Sequence, residues 1–165
     1  MYKKVFYFGG QKCGKTAAAI TKTRELSLDK KPIYVATYLD TYNDAEMKER
    51  ICNHKKEREN DFITLEEGVD LTVLQEGETY LIDCLSMWIL NNLEKPKEEL
   101  IAQLETLFTK EANMVFILND VSRGIIPLDK ESRKFVDYSG IIGQVVAKHC
   151  NEVYDVSYGI ARQIK

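Results

Sequence analysis

Near its N-terminus the chain reads Gly9-Gly10-Gln11-Lys12-Cys13-Gly14-Lys15-Thr16, which satisfies the pattern G-x-x-x-x-G-K-[ST] at every fixed position. An apolar run at residues 5–8 precedes this segment and a helical pattern begins at Lys15, so the segment joins a strand to a helix. Glycines let successive backbone N–H groups point at phosphate oxygens, and the helix N-terminus adds its positive dipole. In this arrangement Lys15 reaches the β- and γ-phosphates and the Thr16 hydroxyl binds Mg²⁺. The segment therefore predicts a binding site for a Mg²⁺–nucleoside triphosphate.

The rest of the chain alternates apolar runs with helical patterns. Buried strands are predicted at residues 5–8, 33–37, 79–83 and 114–118. Helices are predicted at residues 15–28, 44–58, 98–110 and 130–149, with a further apolar segment at 85–93. Residues 152–157 and 158–164 are expected to close the fold as a pair of strands. This alternation predicts a three-layer α/β fold, whose mostly parallel sheet is covered by helices on both faces.

Length and composition limit the classes of protein to which the chain can belong. Its 165 residues suit one domain, and we expect a single catalytic domain over residues 1–165. Lys and Arg total 23 against 26 Asp and Glu, so bulk charge favours neither nucleic acid nor an anionic membrane as partner. No apolar run approaches the roughly 20 residues of a membrane span, and the N-terminus does not resemble a signal peptide. The four cysteines form no C-x-x-C pair, which favours reduced thiols and a cytoplasmic location.

Two carboxylates, Asp83 and Asp120, each follow an apolar strand. A P-loop protein places a carboxylate at such a strand end to hold Mg²⁺ or its water shell. Either aspartate could instead cap the helix that follows, because short carboxylates are favoured N-caps. Ligands of parallel sheets bind at the carboxyl ends of the strands. We therefore expect the loops after Phe8, Thr37, Asp83 and Asn119 to line one site.

The predicted helix at residues 44–58 carries a stripe of polar residues spaced by four, namely Glu46, Arg50, His54 and Arg58. The two guanidinium groups would bind a polyphosphate and keep the His54 imidazole neutral at pH 7. A neutral imidazole beside a triphosphate is a competent nucleophile toward phosphorus. A solvated charged face is the other interpretation, and the spacing alone favours it.

A succession of segments carries a family resemblance over essentially the whole chain. After the P-loop come Tyr34-Val35-Ala36-Thr37, Asp44-Ala45-Glu46-Met47, Arg50-Ile51, His54, Arg58, Asp83-Cys84-Leu85, Asn91-Asn92-Leu93, Asn119-Asp120-Val121 and Gly124-Ile125-Ile126-Pro127. In this order they resemble the bifunctional adenosylcobinamide kinase / adenosylcobinamide-phosphate guanylyltransferase family. The run around His54 and the turn at residues 124–127 are more specific than the P-loop.

The resemblance implies a RecA-like P-loop domain, usually a homotrimer, that acts on adenosylcobinamide and adenosylcobinamide phosphate with ATP and GTP as substrates. In the first implied step a nucleoside triphosphate phosphorylates adenosylcobinamide. In the second, His54 takes GMP from GTP as a phosphoramidate and transfers it to that phosphate, giving adenosylcobinamide-GDP. Catalytic roles are thus expected for Lys15, His54 and Asp83. Nucleotide contacts outside the loop are expected at Ala36, Thr37, Tyr38, Arg50, Lys55, Lys56, Glu57, Arg58, Glu66 and Asp83.

The sequence departs from the family pattern at Glu59, Asp83, Asp120, Ser122, Val136 and Gly143. The family has proline, glutamate, glutamate, glycine, arginine and asparagine at these positions, in that order. Asp83 is shorter than glutamate by one methylene, and a displacement of about 1 Å is enough to change contacts to the base or ribose. We expect nucleotide binding to persist and the balance between the two activities to change.

Two other functions also fit the sequence. A P-loop small-molecule kinase that lacks guanylyl transfer would need no histidine nucleophile, so His54→Ala would leave its activity intact. A non-catalytic nucleotide-binding assembly protein would bind the triphosphate without turnover when adenosylcobinamide is supplied.

Overall fold

Strands and helices alternate along the chain, as the sequence predicts. The computed structural model describes residues 1–39 and 44–165, apart from the side chains of His54 and Glu57. Within these ranges the strands are β1 (Lys4–Gly9), β2 (Ile33–Ala36), β3 (Ile63–Glu66), β4 (Thr79–Asp83), β5 (Asn113–Asn119), β6 (Glu152–Ser157) and β7 (Ile160–Gln163). The helices are α1 (Lys15–Ser27), α2 (Ala45–Arg58), α3 (Leu85–Asn91), α4 (Lys97–Thr109) and α5 (Lys130–His149), with a 3₁₀ turn at Leu71–Val73. None of the described helices has the length and apolar character to cross a membrane.

The described strands join in a sheet with the order β3-β2-β4-β5-β1-β6-β7. At its centre β1 runs parallel to both neighbours, so that Val5 pairs with Val115 of β5 and with Glu152 of β6. The pairs from β3 to β5 are also parallel, whereas β7 runs antiparallel to β6. The predicted fold class, a mostly parallel α/β sheet with a C-terminal antiparallel pair, is confirmed.

Side chains of β1 alternate between the two faces of the sheet, and each face has its own core. Val5 and Tyr7 pack with Ala19 of α1 on one face. Phe6 belongs to the larger core on the other face, which includes buried side chains of α3, α4 and α5. On α4 the predicted apolar residues Leu100, Leu104 and Leu107 are fully buried in this core. Burial from both sides explains why the central strands are continuous apolar runs.

The structure differs from the prediction most clearly at β3. This strand reads Ile-Thr-Leu-Glu and lies at the edge of the sheet, where Ile63 and Glu66 are exposed. A short edge strand with polar residues lacks the apolar run by which the other strands are recognised.

The strand β2 ends at Ala36, one residue earlier than predicted. Beyond it the buried Thr37 hydroxyl accepts a hydrogen bond from the Cys84 amide (2.8 Å) and donates one to the Cys84 carbonyl (2.7 Å).

The helix α2 begins where its sequence predicts. The Asp44 side chain caps it by accepting hydrogen bonds from the backbone N–H groups of Glu46 (3.1 Å) and Met47 (3.4 Å). This cap satisfies donors that the first turn of a helix leaves free. It also fixes the residue at which α2 begins.

Candidate functional site

The loop between β1 and α1 has the geometry of a phosphate cradle. Lys12 and Gly14 both adopt positive φ, 54° and 97°, which turns the chain sharply back before α1 begins at Lys15. Gly14 precedes the helix and has no side chain to cap it, so the first N–H groups of α1 remain available to an anion. The Lys15 ammonium group donates to the Gly10 carbonyl at 3.0 Å, and the residue as a whole is only 6% exposed. The loop thus holds a lysine and free amides in the arrangement that phosphates require.

Close packing beneath the loop explains its first glycine. A Cβ atom on Gly9 would lie 2.4 Å from the Val156 carbonyl oxygen and 2.6 Å from the Cys13 sulfur. No heavy atom lies within 4 Å of the position that a Cβ would take on Gly10. The two adjacent glycines therefore differ in kind: one lies against neighbouring backbone and the other faces open space.

This difference leads to a test of the loop's packing. Gly9→Ala is expected to lower the free energy of unfolding by about 2–3 kcal/mol, because backbone atoms of β6 must move to admit the methyl group. Gly10→Ala is the matched control, with a change within about 0.5 kcal/mol. Urea titrations of both variants measure the two values. Equal losses in the two variants would show that Gly9 is not required by packing.

A cavity of about 760 Å³ opens between this loop, α2 and the carboxyl ends of β2 and β4. The residues that were predicted to bind nucleotide and that line it are Lys12, Cys13, Gly14, Lys15, Thr16, Ala36, Tyr38, Arg58, Glu66 and Asp83. Ile20, Arg24, Tyr34, Met47, Ile51, Phe62, Cys84 and Met87 complete its lining. Most of the predicted site residues thus come together around one space.

Other predicted residues lie outside this lining. Gly9, Gly10 and Gln11 form the start of the loop, and Thr37 is buried against Cys84. On the exposed side of α2, the Arg50 guanidinium pairs with the Glu46 carboxylate at 3.1 Å. The Lys55 ammonium group lies 3.5 Å from the Glu66 carboxylate. Lys56 is exposed. The side chains of His54 and Glu57 lie outside the described part of the structure, although their backbone belongs to α2.

One residue with contacts to two predicted site residues was not itself predicted as part of the site, namely Tyr34 of β2. Its hydroxyl donates a hydrogen bond to the Asp83 carboxylate, while the Arg58 guanidinium lies over its ring, 3.6 Å from the ring centre. Phe62 meets the same ring edge-on at a centroid distance of 6.0 Å. Tyr34 therefore joins α2, through Arg58, to the carboxylate at the end of β4. The Y-V-A-T run was visible in the sequence, but nothing in it indicated these two partners.

The cavity presents donors that suit an anion. The Nε atom of Arg58 is buried and has no hydrogen-bond partner among the described residues. A buried guanidinium donor without an acceptor is unfavourable, and a phosphate or carboxylate oxygen from a ligand would satisfy it. Together with Lys15 and the amides at the start of α1, Arg58 gives this cavity a set of donors that would suit a polyanion.

Burial governs protonation at the end of β4. Burial, followed by the nearby Asp83 carboxylate, raises the pKa of the Cys84 thiol to about 11, so the thiol stays protonated at neutral pH. The same two causes raise the pKa of Tyr34 far above its ordinary value. Neither group therefore supplies a nucleophilic anion at neutral pH, and Tyr34 remains a hydrogen-bond donor to Asp83.

The Tyr34–Asp83 hydrogen bond can be tested by removing one hydroxyl. Tyr34→Phe keeps the ring under Arg58, and is expected to lower the free energy of unfolding by about 1.5–3 kcal/mol, as for other hydrogen bonds to charged groups. Tyr138→Phe is the control, since its hydroxyl donates at 2.8 Å to a neutral acceptor, the Lys95 carbonyl, and should lose only about 0.5–1.5 kcal/mol. Urea titrations of the wild type and both variants give the free energies of unfolding to be compared. An unchanged stability in Tyr34→Phe would contradict the importance of this contact.

The oxygen ligands around the loop fit Mg²⁺. Thr16 and Asp83 both line the cavity, and hydroxyl, carboxylate and phosphate oxygens are the ligands that this ion prefers. Among the described residues no cluster of three or more His, Cys, Asp or Glu side chains could hold a metal alone. Thr16 and Asp83 could hold Mg²⁺ only as part of a larger set of oxygen ligands, such as one completed by the phosphates of a nucleotide.

The second carboxylate candidate, Asp120, lies elsewhere. It pairs with Arg123 at 3.1 Å, accepts a hydrogen bond from the Ser122 hydroxyl, and lines a separate cavity of about 300 Å³. Thus the loops after β1, β2 and β4 share the large cavity, whereas the loop after β5 borders the smaller one. The expectation that all four loops line one site is correct for three of them.

Comparison with known proteins identifies relatives over nearly the whole chain. A family model described as "Cobinamide kinase / cobinamide phosphate guanyltransferase" matches residues 5–164. A bifunctional adenosylcobalamin biosynthesis protein, CobP of Pseudomonas aeruginosa, is 30% identical over 167 residues, covering 95% of this chain and 94% of the relative. The Escherichia coli protein of the same description, CobU, is 28% identical over 180 residues, which cover 95% of this chain and 97% of the relative.

Solved structures with much lower identity share the fold. The flagellar accessory protein FlaH of Methanocaldococcus jannaschii superimposes with a TM-score of 0.53 at 12% identity, over 99% of this chain and 78% of that one. A protein from Pyrococcus horikoshii gives a TM-score of 0.54 at 13% identity, over 99% of this chain and 86% of that one. These likenesses concern the arrangement of strands and helices alone.

Proposed function

The chain belongs to the cobinamide kinase / cobinamide phosphate guanyltransferase family, and we propose that residues 1–165 form one catalytic domain with both activities in adenosylcobalamin biosynthesis. The observation that carries this proposal is the large cavity, because a single space connects the phosphate loop with α2. A kinase alone requires the loop. A guanylyl transfer requires in addition a nucleophile within reach of the α-phosphate.

The first reaction phosphorylates adenosylcobinamide. The loop amides and Lys15 hold the β- and γ-phosphates of ATP or GTP while the acceptor hydroxyl attacks the γ-phosphorus and the nucleoside diphosphate leaves. Mg²⁺, when bound beside Thr16 and Asp83, would neutralise charge on the phosphate oxygens. Lys15 supports this step because its amine already lies inside the loop, at the Gly10 carbonyl.

The second reaction moves GMP through His54. The imidazole attacks the α-phosphorus of GTP, a P–N bond forms and pyrophosphate leaves. An oxygen of adenosylcobinamide phosphate then attacks the same phosphorus, which releases the imidazole and gives adenosylcobinamide-GDP. The position of His54 in the chain supports this role, since it lies on α2 between Ile51 and Arg58. Ile51 and Arg58 both line the cavity.

Four of the six departures from the family pattern lie at two cavities. Asp83 lies in the large cavity, where Tyr34 holds its shorter carboxylate. Asp120, Ser122 and Gly143 all border the smaller cavity. We infer that these three changes leave the nucleotide cavity intact, whereas Asp83 changes a side chain that lines it.

We further propose a cytoplasmic homotrimer. Three apolar residues in the loop after β5 are largely exposed: Ile125 (96%), Ile126 (76%) and Leu128 (97%). A cluster of exposed apolar side chains is typical of a surface that contacts another chain. A neighbouring subunit over this loop would bury them.

Retention of label from GTP tests the proposal. The purified protein is incubated with Mg²⁺ and GTP labelled on the α-phosphate, then denatured, with γ-labelled GTP in a parallel sample. Acid-labile, alkali-stable label from the α-phosphate alone is the expected result, since a phosphoramidate has these properties. Absence of label in folded protein that binds GTP would leave a kinase, if adenosylcobinamide is phosphorylated, or a non-catalytic nucleotide-binding protein if it is not.

A further inference from the structure

The tip of the C-terminal hairpin lies against the phosphate loop. Tyr158 and Gly159 join β6 to β7, and both have positive φ, 50° and 79°, as in the tight turns that suit twisted hairpins. The Gly159 amide donates to the Cys13 carbonyl at 2.6 Å. A Cβ atom on Gly14 would lie 2.9 Å from the Gly159 Cα atom. The turn therefore contacts the loop at the residues that immediately precede α1, where the phosphates are expected to bind.

The first residue of this turn is an aromatic side chain in solvent. Tyr158 is 99% exposed, although its neighbour Gly159 is in direct contact with the loop. A bulky residue at positive φ is a costly choice for a turn, and folded proteins keep such residues where the position has a use. Because Tyr158 is exposed, packing in the core of this chain does not explain why a tyrosine stands at this position.

The aromatic pair in the large cavity is already packed. The Tyr34 ring is covered by the Arg58 guanidinium and by the edge contact with Phe62, which is itself only 2% exposed. Tyr158 instead offers both faces of its ring. It also lies on the other side of β1, because β6 and β7 flank this strand opposite to β5, β4 and β2.

We infer that Tyr158 is a stacking platform for the purine base of the nucleoside triphosphate held in the phosphate loop. This inference rests on the proposed function and adds a base subsite on the β6–β7 side of the loop, distinct from the large cavity. Stacking on an aromatic ring tolerates every base, because each has a π-face. The subsite would therefore bind ATP and GTP alike and would not itself select guanine.

Binding measurements with and without a base test this inference. Calorimetric titrations with Mg²⁺ and ATP, GTP or inorganic tripolyphosphate are compared for the wild type, Tyr158→Ala, Tyr158→Phe and Tyr158→Trp. Tyr158→Ala should bind both nucleotides about 10-fold more weakly, as expected for the loss of one base–aromatic stack, with tripolyphosphate binding unchanged. The aromatic variants should keep nucleotide affinity. Tyr2→Ala is the matched control, since Tyr2 is an exposed tyrosine that precedes β1, at the end of this strand remote from the loop.

Several results would overturn the inference. Nucleotide affinity within about twofold of wild type in Tyr158→Ala would exclude stacking, and an equal loss for tripolyphosphate would show that the turn merely shapes the loop. A change in the mass of the assembly would make Tyr158 a subunit contact instead. The α-label experiment on the same variants separates this inference from the proposed function. Label retained by a Tyr158→Ala protein with normal nucleotide affinity refutes the stacking platform alone, whereas a wild type that binds no triphosphate refutes both.

Discussion

His54→Asn is expected to lower the rate of adenosylcobinamide-GDP formation by at least about 1,000-fold, as for loss of a nucleophile in covalent catalysis. Asparagine is polar and comparable to histidine in helix propensity, but its amide does not attack phosphorus. The kinase step should continue within about twofold, because the phosphate loop is untouched. The two rates are measured separately, with adenosylcobinamide and ATP for the first step and adenosylcobinamide phosphate and GTP for the second.

The neighbouring residue on α2 provides a control for this substitution. Asn53 is exposed and belongs to none of the predicted contacts, so Asn53→Ala should keep both rates. If His54→Asn still forms adenosylcobinamide-GDP at a rate near that of wild type, His54 is not the nucleophile. A parallel loss of both rates would point instead to a distorted helix.

Lys15→Met is expected to lower kcat/KM for both reactions by about 100- to 1,000-fold, the effect of removing one preorganised charge from a phosphoryl-transfer site. Methionine has a similar length and leaves the helix intact, so the change removes the charge with little loss of packing. Lys15 lies inside the loop at 6% exposure, and water would not readily replace its ammonium group. Steady-state assays of each step give the two ratios.

A surface lysine controls for the loss of one positive charge. Lys30 is mostly exposed and pairs with Glu78 at 3.3 Å, so Lys30→Met should leave both reactions near wild-type rates. A Lys15→Met protein that keeps one of the two activities would mean that the two steps use different phosphate sites. Such a result would contradict the single cavity on which the proposed function depends.

Much of the fold could be predicted because its signals are local. The strand–loop–helix around Lys15 follows from residue types over a dozen positions, and the cap of α2 follows from Asp44 alone. The apolar stripe of α4 likewise depends on the 3.6-residue period. Each of these features is determined by residues close together in the chain, and periodicity captures such relations.

The unpredicted features depend on contacts between distant residues. Tyr34 meets Asp83 and Arg58 across 49 and 24 positions, and no local pattern states that these side chains converge. Asp83 and Asp120 looked alike in sequence, because each ends an apolar strand. Their difference arises from the order of the sheet, which places β2 next to β4, and Asp83 at the large cavity, while Asp120 faces α5.

The position of β1 makes the N-terminal motif late to form during synthesis of the chain. Val5 finds its partners only when Val115 and then Glu152 have been made, and the Cys13 carbonyl accepts a hydrogen bond from the still later Gly159. A ribosome-bound chain that lacks the β6–β7 hairpin therefore carries the whole G-x-x-x-x-G-K-[ST] pattern without the contacts that β6 and Gly159 make with it. The phosphate loop therefore depends for its support on residues made much later than itself, and such non-local contacts generally slow folding.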